Sequence, residues 1–174
     1  MTFDAPLFLH HLSVRPEWID YNGHMNVAYY LKVFDLSVDQ FFDMFDLGED
    51  YARKGGGSVF ALEHRITYQR ELKGGDPLRV TLQMMDMDRK RIHFFMRIYH
   101  ATEGYLAATN ENLSIHVDMK SRHSTPFPDH AYQKLRQLFE DHKTLPRPPE
   151  VGGTVGIRRR ARKAKPQVQS KSQA

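Results

Sequence analysis

The chain has 174 residues, of which 40% are hydrophobic and 11% aromatic, a composition typical of a globular domain and not of a disordered protein. It contains no Cys, which excludes a disulfide framework and a thiolate metal site. The formal net charge is +4, but the residues from Ile157 onward carry seven Arg and Lys and no acid, so subtracting them leaves −3 for residues 1–156.

The N-terminal residues 1–18 lack the basic start and the long apolar core of a secretory signal. No stretch of the sequence approaches the roughly 20 apolar residues that a helix needs to cross a bilayer. We therefore expect a cytoplasmic protein that does not span a membrane.

Hydrophobic periodicity predicts a strand and a long helix in the first part of the chain. Residues 10–15 are typical of a short strand that ends before Pro16, and the polar cluster EWIDYNGHMN at 17–26 follows it. Apolar residues then recur at steps of three and four up to Asp46, which predicts a helix with one heavily buried face. That predicted face comprises Val27, Tyr30, Leu31, Phe34, Val38, Phe41, Phe42 and Phe45.

The apolar period changes to two after the glycine-rich loop KGGGS at 54–58. Alternating residues predict strands over 59–68, 77–84, 91–100 and 105–119, joined by short polar turns. Short turns between strands of this length indicate an antiparallel sheet. Asp129 after Pro128 is typical of a helix N-cap, so a second helix is predicted to follow.

The order of these elements predicts an α+β domain over residues 1–144, in which an antiparallel sheet of about five strands wraps a long central helix. Residues 145–174 are dominated by Pro, Gly, Arg, Lys, Gln and Ser, so we expect a disordered basic tail. A single sheet leaves its edge strands unpaired. Two copies are therefore expected to pair edge to edge, as a homodimer or a dimer of dimers.

This order of elements, together with two motifs, resembles the hotdog fold of acyl-CoA thioesterases. Asp20, Gly23 and Asn26 form a D-x-x-G-x-x-N turn before the long helix, and ITYQRELKGGDPLRV at 66–80 leads a strand ending in Tyr into a Gly-Asp turn. The chain is similar to the 4-hydroxybenzoyl-CoA thioesterase-like branch over residues 8–145. Within that branch, RPEWIDYNGHMN and LSIHVDMKSRHSTPFP resemble the thioesterases of L-carnitine breakdown. The resemblance implies hydrolysis of betainyl-CoA to glycine betaine and CoA, with no cofactor.

Thioester hydrolysis needs a stabiliser for the carbonyl oxygen and either a base for water or a carboxylate nucleophile. Free N–H groups at a helix N-terminus carry the positive end of the helix dipole and suit the first role. Asp20 is the carboxylate nearest that helix end, and the resemblance places the family's catalytic acid on it. The structural alternative is a turn aspartate that bonds its own backbone.

Three other residues, Asn26, His24 and Glu63, are candidates for the catalytic machinery, and Gly23 is a candidate for substrate binding. Asn26 either caps the helix or orients a water molecule or the thioester oxygen. His24 either shuttles a proton or has a structural role, and Gly23 permits close approach of the substrate to the backbone. Glu63 on the second predicted strand is either an exposed acid or, as in related enzymes, a carboxylate that completes the site across the dimer interface.

Substrate-binding candidates follow from the charges of betainyl-CoA. Its trimethylammonium group would bind aromatic faces, and Trp18, Tyr21 and Tyr29 lie close to Asp20 in sequence. The alternative for Trp18, as for Tyr30, is a place in the core. Arg91 and Arg122, at the ends of predicted strands, are candidates for the CoA phosphates or are solvated charges. No spacing of His and carboxylate residues indicates a metal site.

Two other functions are compatible with the same residues. A hotdog dehydratase would need a His and an acid, such as His24 and Glu63, at the substrate's α and β carbons. A noncatalytic acyl-CoA-binding or nucleic-acid-binding protein would use the run IRRRARKAK at 157–165 to hold phosphate. That run lacks interleaved aromatic residues, so nucleic acid is not the expected partner.

Overall fold

The computed structural model describes residues 2–157 and contains one antiparallel sheet with a long helix across one face. The strands are β1 (Leu7–Ser13), β2 (Ser58–Tyr68), β3 (Pro77–Met87), β4 (Arg91–His100) and β5 (Leu106–Val117). The helices are α1 (Val27–Met44), α2 (Glu49–Arg53) and α3 (Asp129–His142), with a 3₁₀ turn at Pro16–Trp18. In this described part, no helix is both long enough and apolar enough to cross a bilayer.

The five strands lie in the order β1-β3-β4-β5-β2, and every neighbouring pair is antiparallel. With α1 against one face, this is the predicted α+β hotdog arrangement. The order leaves β1 and β2 as the two edge strands of a single subunit. A β-bulge at Leu62 interrupts the pairing of β2 with β5.

The inner face of the sheet, which contacts α1, has an apolar half and a polar half. On β3 and β4 the inward residues are at most 2% exposed and apolar: Leu78, Val80, Leu82, Met84, Ile92, Phe94, Met96 and Ile98. On β5 the inward residues from Asn110 onward are at most 1% exposed and polar: Asn110, Asn112, Ser114 and His116. The polar half therefore lies next to the edge strand β2.

The predicted apolar face of α1 is wider than the core that it covers. Its aromatic residues are buried, as predicted: Tyr30, Phe34, Phe41, Phe42 and Phe45. The ring of Phe41 contacts that of Phe94 on β4 with centroids 5.6 Å apart. Val27 and Leu31 are instead 60% and 40% exposed, so apolar surface at the N-terminal end of α1 stays uncovered in one subunit.

Several predicted boundaries are corrected by the structure. The first strand begins at Leu7, and β3 continues to Met87, because their pairing extends beyond the alternating apolar residues. The predicted N-cap at Asp129 is wrong: Pro128 occupies that position and makes no side-chain cap bond. Asp129 is the first helical residue, and its carboxylate accepts a hydrogen bond from Arg89 at 2.8 Å. The helix α2, at five residues, is too short for a periodic signal.

A segment beyond the predicted end of the domain, residues 146–153, lies against the outer face of the sheet. Arg65 donates through Nη1 to the carbonyl O of Glu150 at 2.8 Å. The Gly152 N–H donates to the carboxylate of Glu111, also at 2.8 Å. These two hydrogen bonds attach the segment to charged side chains of the sheet. The prediction of disorder is therefore corrected for residues 146–153. The predicted basic tail after it falls outside the described residues.

A buried histidine connects α3 to the sheet and to the N-terminal segment. The Met84 N–H donates to Nδ1 of His142 at 2.9 Å, and Nε2 of His142 donates to the carbonyl O of Asp4 at 2.8 Å. This arrangement requires the neutral ring with its proton on Nε2. Burial lowers the pKa of His142, against smaller opposing effects of the Asp4 hydrogen bond and the Asp141 charge.

We expect the free energy of unfolding to fall as the pH drops below about 6.5, the ordinary pKa of an unfolded histidine. The folded pKa of His142 is lowered, so the unfolded chain takes up a proton that the folded chain does not. One pH unit below that value, the loss due to this residue is at most about 1.4 kcal/mol, which is the full effect of a ring that stays neutral in the folded state. Urea unfolding at several pH values measures it.

The variant His142→Asn keeps an acceptor for the Met84 N–H but cannot titrate, so it should flatten this pH dependence. His116, whose pKa is also lowered by burial, contributes in the same direction and remains in the variant. The slope should therefore shrink without vanishing. An unchanged slope would show that His142 does not control the pH dependence.

Candidate active site

The polar cluster before α1 forms a closed turn, residues 19–25, which we call the Asp20 turn. Ile19 and Met25 form an antiparallel bridge at its base. The Asp20 N–H donates to the carbonyl O of His24 at 3.1 Å, and the Gly23 N–H donates to that of Asp20 at 3.0 Å. Gly23 has a φ of +82°, and no atom lies within 4 Å of the position of an added Cβ. The backbone at Gly23 is therefore open to a ligand.

Asp20 and Asn26 meet at the N-terminus of α1. Oδ1 of Asp20 accepts the Asn22 N–H at 2.8 Å, and its Oδ2 accepts a hydrogen bond from Nδ2 of Asn26 at 3.4 Å. Asn26 is the N-cap of α1, because its Oδ1 accepts the Ala28 N–H at 3.0 Å. The capping alternative for Asn26 is confirmed. The same side chain also orients the carboxylate of Asp20.

The N–H of Val27, the first residue of α1, is available to a ligand. The Ala28 N–H is bonded to the cap, and the Tyr29 N–H donates to the carbonyl O of Asn26 at 3.0 Å. The Val27 N–H makes no hydrogen bond within residues 2–157, and Val27 is 60% exposed. An unpaired N–H at the positive end of a helix dipole can stabilise negative charge on a substrate oxygen.

His24 lies beside an acid that the sequence analysis missed. Its Nε2 is 3.4 Å from Oε2 of Glu71, and the two side chains are 35% and 55% exposed. The adjacent residue Leu72 accepts the Met25 N–H at its carbonyl O, at 2.7 Å, which ties this loop to the Asp20 turn. No sequence pattern links positions 24 and 71, so only the fold could reveal this pair. The proton shuttle at His24 stays a prediction.

The predicted aromatic residues differ in their surroundings. Trp18 is only 6% exposed, and its ring stacks on that of Tyr29 with centroids 5.5 Å apart. The guanidinium of Arg15 lies 5.4 Å from the centroid of the Trp18 ring. Tyr21 is 97% exposed and free to meet a ligand. In one subunit the Trp18 ring is thus engaged by protein groups, and its contact with a substrate cation stays a prediction.

The C-terminal end of β2 contacts the N-terminal end of α1. The Tyr68 hydroxyl donates to the carbonyl O of Val27 at 3.4 Å. The rings of Tyr68 and Tyr30 meet edge to face with centroids 5.2 Å apart. Burial raises the pKa of Tyr30 to about 12. The Tyr68 end of β2 is therefore the end at which the candidate catalytic groups lie.

Glu63 does not belong to the Asp20 turn of its own subunit. The bulge at Leu62 shifts the register, and Glu63 lines a cavity of about 520 Å³ on the outer face together with Arg91. Its neighbour His64 faces inward instead, toward the polar residues of β5. The structure therefore does not bring Glu63 and Asp20 together within one subunit. The predicted role of Glu63 across a dimer interface stays a prediction.

Arg91 and Arg122 lie together near the other end of β2. Arg91 pairs in the sheet with Ile115, which pairs with Phe60 on β2. The guanidinium of Arg122 lies 5.2 Å from the centroid of the Phe60 ring. Phe60 precedes Tyr68 by eight residues, about 26 Å along an extended strand. In one subunit the two predicted phosphate ligands are thus remote from the Asp20 turn.

The chain is similar in sequence to known thioesterases. Residues 14–135 match the family model described as thioesterase-like superfamily. The betainyl-CoA thioesterase of Pseudomonas aeruginosa is 34% identical over 144 residues, which are 83% of this chain and 91% of that protein. The L-carnitine dehydrogenase/betainyl-CoA thioesterase of Rhizobium meliloti is 39% identical over 156 residues, 89% of this chain. The match spans only 31% of that longer relative.

Solved structures share the same fold. A Staphylococcus aureus protein solved in complex with CoA has a TM-score of 0.82 at 29% identity, over 91% of this chain and 100% of that one. The 1,4-dihydroxy-2-naphthoyl-CoA thioesterase of Synechocystis has a TM-score of 0.66 at 17% identity, over 77% and 96% of the two chains. The family match includes the Asp20 turn, α1 and all of the sheet except β1. This chain belongs to the thioesterase-like superfamily.

Proposed function

We propose that this protein hydrolyses the thioester of betainyl-CoA, giving glycine betaine and CoA. The observation that carries the proposal is the carboxylate of Asp20, held by Asn26 beside the unpaired Val27 N–H at the N-terminus of α1. This arrangement supports hydrolysis of an activated carbonyl. The choice of the betainyl group rests on the relatives, two of which carry betainyl-CoA thioesterase in their names.

The Val27 N–H donates to the thioester carbonyl oxygen, which gains negative charge as the tetrahedral intermediate forms. Asp20 takes a proton from the water molecule that attacks the carbonyl carbon. The C–S bond then breaks, the electron pair leaves with the CoA sulfur, and the thiolate receives a proton from Asp20 or His24. Direct attack by Asp20 on the carbonyl carbon would use the same carboxylate, followed by hydrolysis of the anhydride.

The proposed active unit contains two subunits paired through β2. Residues 61–64 of this edge strand are exposed, and Leu62 is 55% exposed. Tyr68 on the same strand is 50% exposed, and the uncovered Val27 and Leu31 on α1 add to this apolar surface. A symmetric pairing buries that surface and satisfies the free backbone groups of the edge.

Antiparallel pairing about the exposed centre of β2 also brings distant groups together. It sets the Tyr68 end of one strand beside the Phe60 end of the other. The partner's Arg91 and the partner's Arg122 then approach the Asp20 turn, where they suit the phosphates of CoA. Binding of the CoA phosphates by these arginines therefore requires a shared site, since both lie at the far end of β2 within one subunit.

Release of CoA thiol from a panel of acyl-CoA substrates tests the proposal. We expect betainyl-CoA to have the highest kcat/KM, exceeding butyryl-CoA by at least ~10-fold. Hydration of crotonyl-CoA, measured in parallel, tests the dehydratase alternative and should be absent. If no acyl-CoA releases thiol, the proposed hydrolysis is wrong, and if butyryl-CoA is preferred, the betainyl specificity is wrong.

A further inference from the structure

A groove of about 500 Å³ lies between the C-terminal half of α1 and the strands β2 and β5. We call it the polar groove. Its floor includes Asn112 and Ser114, each 1% exposed, and His64 stands at its open edge on β2. Its α1 wall carries Asp35, Asp39 and Asp43. None of these residues belongs to the Asp20 turn, and the proposed mechanism does not use them.

The floor of the polar groove presents hydrogen-bonding groups to its interior. Asn112 Nδ2 lies 3.1 Å from Nδ1 of His64, and the Ser114 hydroxyl donates to Oδ1 of Asn112 at 2.6 Å. Such bonds are needed because a buried polar group without a partner is destabilising. Asn112 and Ser114 are each 1% exposed and bond to their neighbours, so the floor is a preformed polar surface that does not need a hydrogen-bonding ligand. The choice of ligand therefore depends on the charge of the groove wall.

The helix wall of the groove is negatively charged. Asp35, Asp39 and Asp43 follow one another at steps of four residues, which places them on one side of α1. Burial raises the pKa of Asp39, and the charge of Asp35 raises it further; the charge of Lys32 opposes this, and those of Asp43 and Glu49 add to it. Lys32 pairs with Asp35 at 3.3 Å on the exposed side of α1. Among the residues that the structure describes, no Lys or Arg lines the groove. A bound cation would relieve this repulsion, whereas a phosphate would increase it.

In the proposed β2-paired dimer, each polar groove would adjoin the other subunit's Asp20 turn. The groove opens along the first half of β2, from Ser58 to His64, whereas the Asp20 turn lies at the Tyr68 end. Antiparallel pairing brings these two ends together. A thioester held at the Val27 N–H of one subunit can then extend its acyl group toward the groove of the other.

We propose that the polar groove is the acyl pocket and that it recognises a quaternary ammonium group through Asp35 and Asp39. The inference rests on the proposed function and assigns its substrate specificity to these residues. A trimethylammonium group cannot donate a hydrogen bond, so it is selected by charge and by the fit of its methyl groups. Val38 and Phe42, which also line the groove, supply apolar contacts for those methyl groups.

Two substrates of the same shape isolate the effect of charge. Betainyl-CoA and 3,3-dimethylbutyryl-CoA differ in the replacement of the quaternary nitrogen by carbon. The ratio of their kcat/KM values is measured for the wild type and for the double variant Asp35→Asn/Asp39→Asn. We expect the preference for betainyl-CoA to fall at least ~10-fold in the variant, because two carboxylates no longer attract the cation. Circular dichroism and light scattering check that the variant is folded and has the oligomeric state of the wild type.

Glu140→Gln is the matched control, because it also removes a negative charge. Glu140 pairs with Lys143 on α3 and is not among the lining residues of the groove, so the ratio should not change. If both substrates lose activity equally in the double variant, or if their ratio is unchanged, the polar groove does not recognise the cation. If the wild type releases thiol from neither substrate, the proposed function itself is wrong.

Discussion

Replacing Asp20 by Asn is expected to lower kcat for thioester hydrolysis by at least ~10²-fold, the range for loss of an acid–base group. The amide can still accept the Asn22 N–H that the carboxylate accepts at 2.8 Å, so the Asp20 turn should persist. It cannot take a proton from water or attack the carbonyl carbon. Steady-state thiol release, with circular dichroism to verify folding, measures the effect.

Asp118→Asn provides a matched control for the loss of a turn carboxylate. Asp118 likewise accepts the N–H of the second residue after it, that of Lys120, at 3.1 Å. It takes no part in the proposed chemical step, so this variant should keep the wild-type kcat; because its turn also carries Arg122, only KM is expected to respond. A folded Asp20→Asn protein with normal turnover would contradict the mechanism. It would leave the fold and the family of the chain unaffected.

Introducing a charge at the centre of β2 is expected to separate the subunits and abolish most activity. In the proposed dimer the two copies of Leu62 lie close to the symmetry axis, so Leu62→Lys places like charges together, at a cost of several kcal/mol. We expect a monomer in light scattering and a fall in kcat/KM for betainyl-CoA of at least ~10²-fold. The loss follows because the Asp20 turn of one subunit no longer meets the arginines and the polar groove of the other.

The second edge strand supplies the control for this experiment. Phe8 on β1 is 48% exposed and lies at the opposite edge of the sheet. Phe8→Lys adds the same charge to an edge strand but should leave the dimer and the activity in place. A monomeric Leu62→Lys protein with full turnover would show that one subunit holds a complete site.

The periodicity of the sequence predicted the main elements, because the core of this domain follows the helical and strand periods closely. The predicted strand over 91–100 coincides with β4, and the aromatic stripe of α1 is buried as expected. The cluster before α1 was identified from residue chemistry alone, since a cap and a turn each require particular side chains at short spacing. Local rules of this kind were sufficient for the Asn26 cap but failed at Asp129, where Pro128 takes the cap position.

Contacts between residues distant in sequence were decided only by the tertiary structure. His24 meets Glu71 because the loop after β2 is bonded to the Asp20 turn, and no spacing rule connects those positions. A bulge at Leu62, whose presence depends on the pairing with β5, decides which face of the sheet Glu63 and His64 each take. The polar groove likewise exists because α1 crosses strands that are far from it in the chain. The sequence by itself therefore determined the elements and the polar residues of the Asp20 turn, because both depend on neighbouring residues. The distribution of the other candidates over the two faces and ends of the sheet depends on long-range strand pairing, which only the tertiary structure decided.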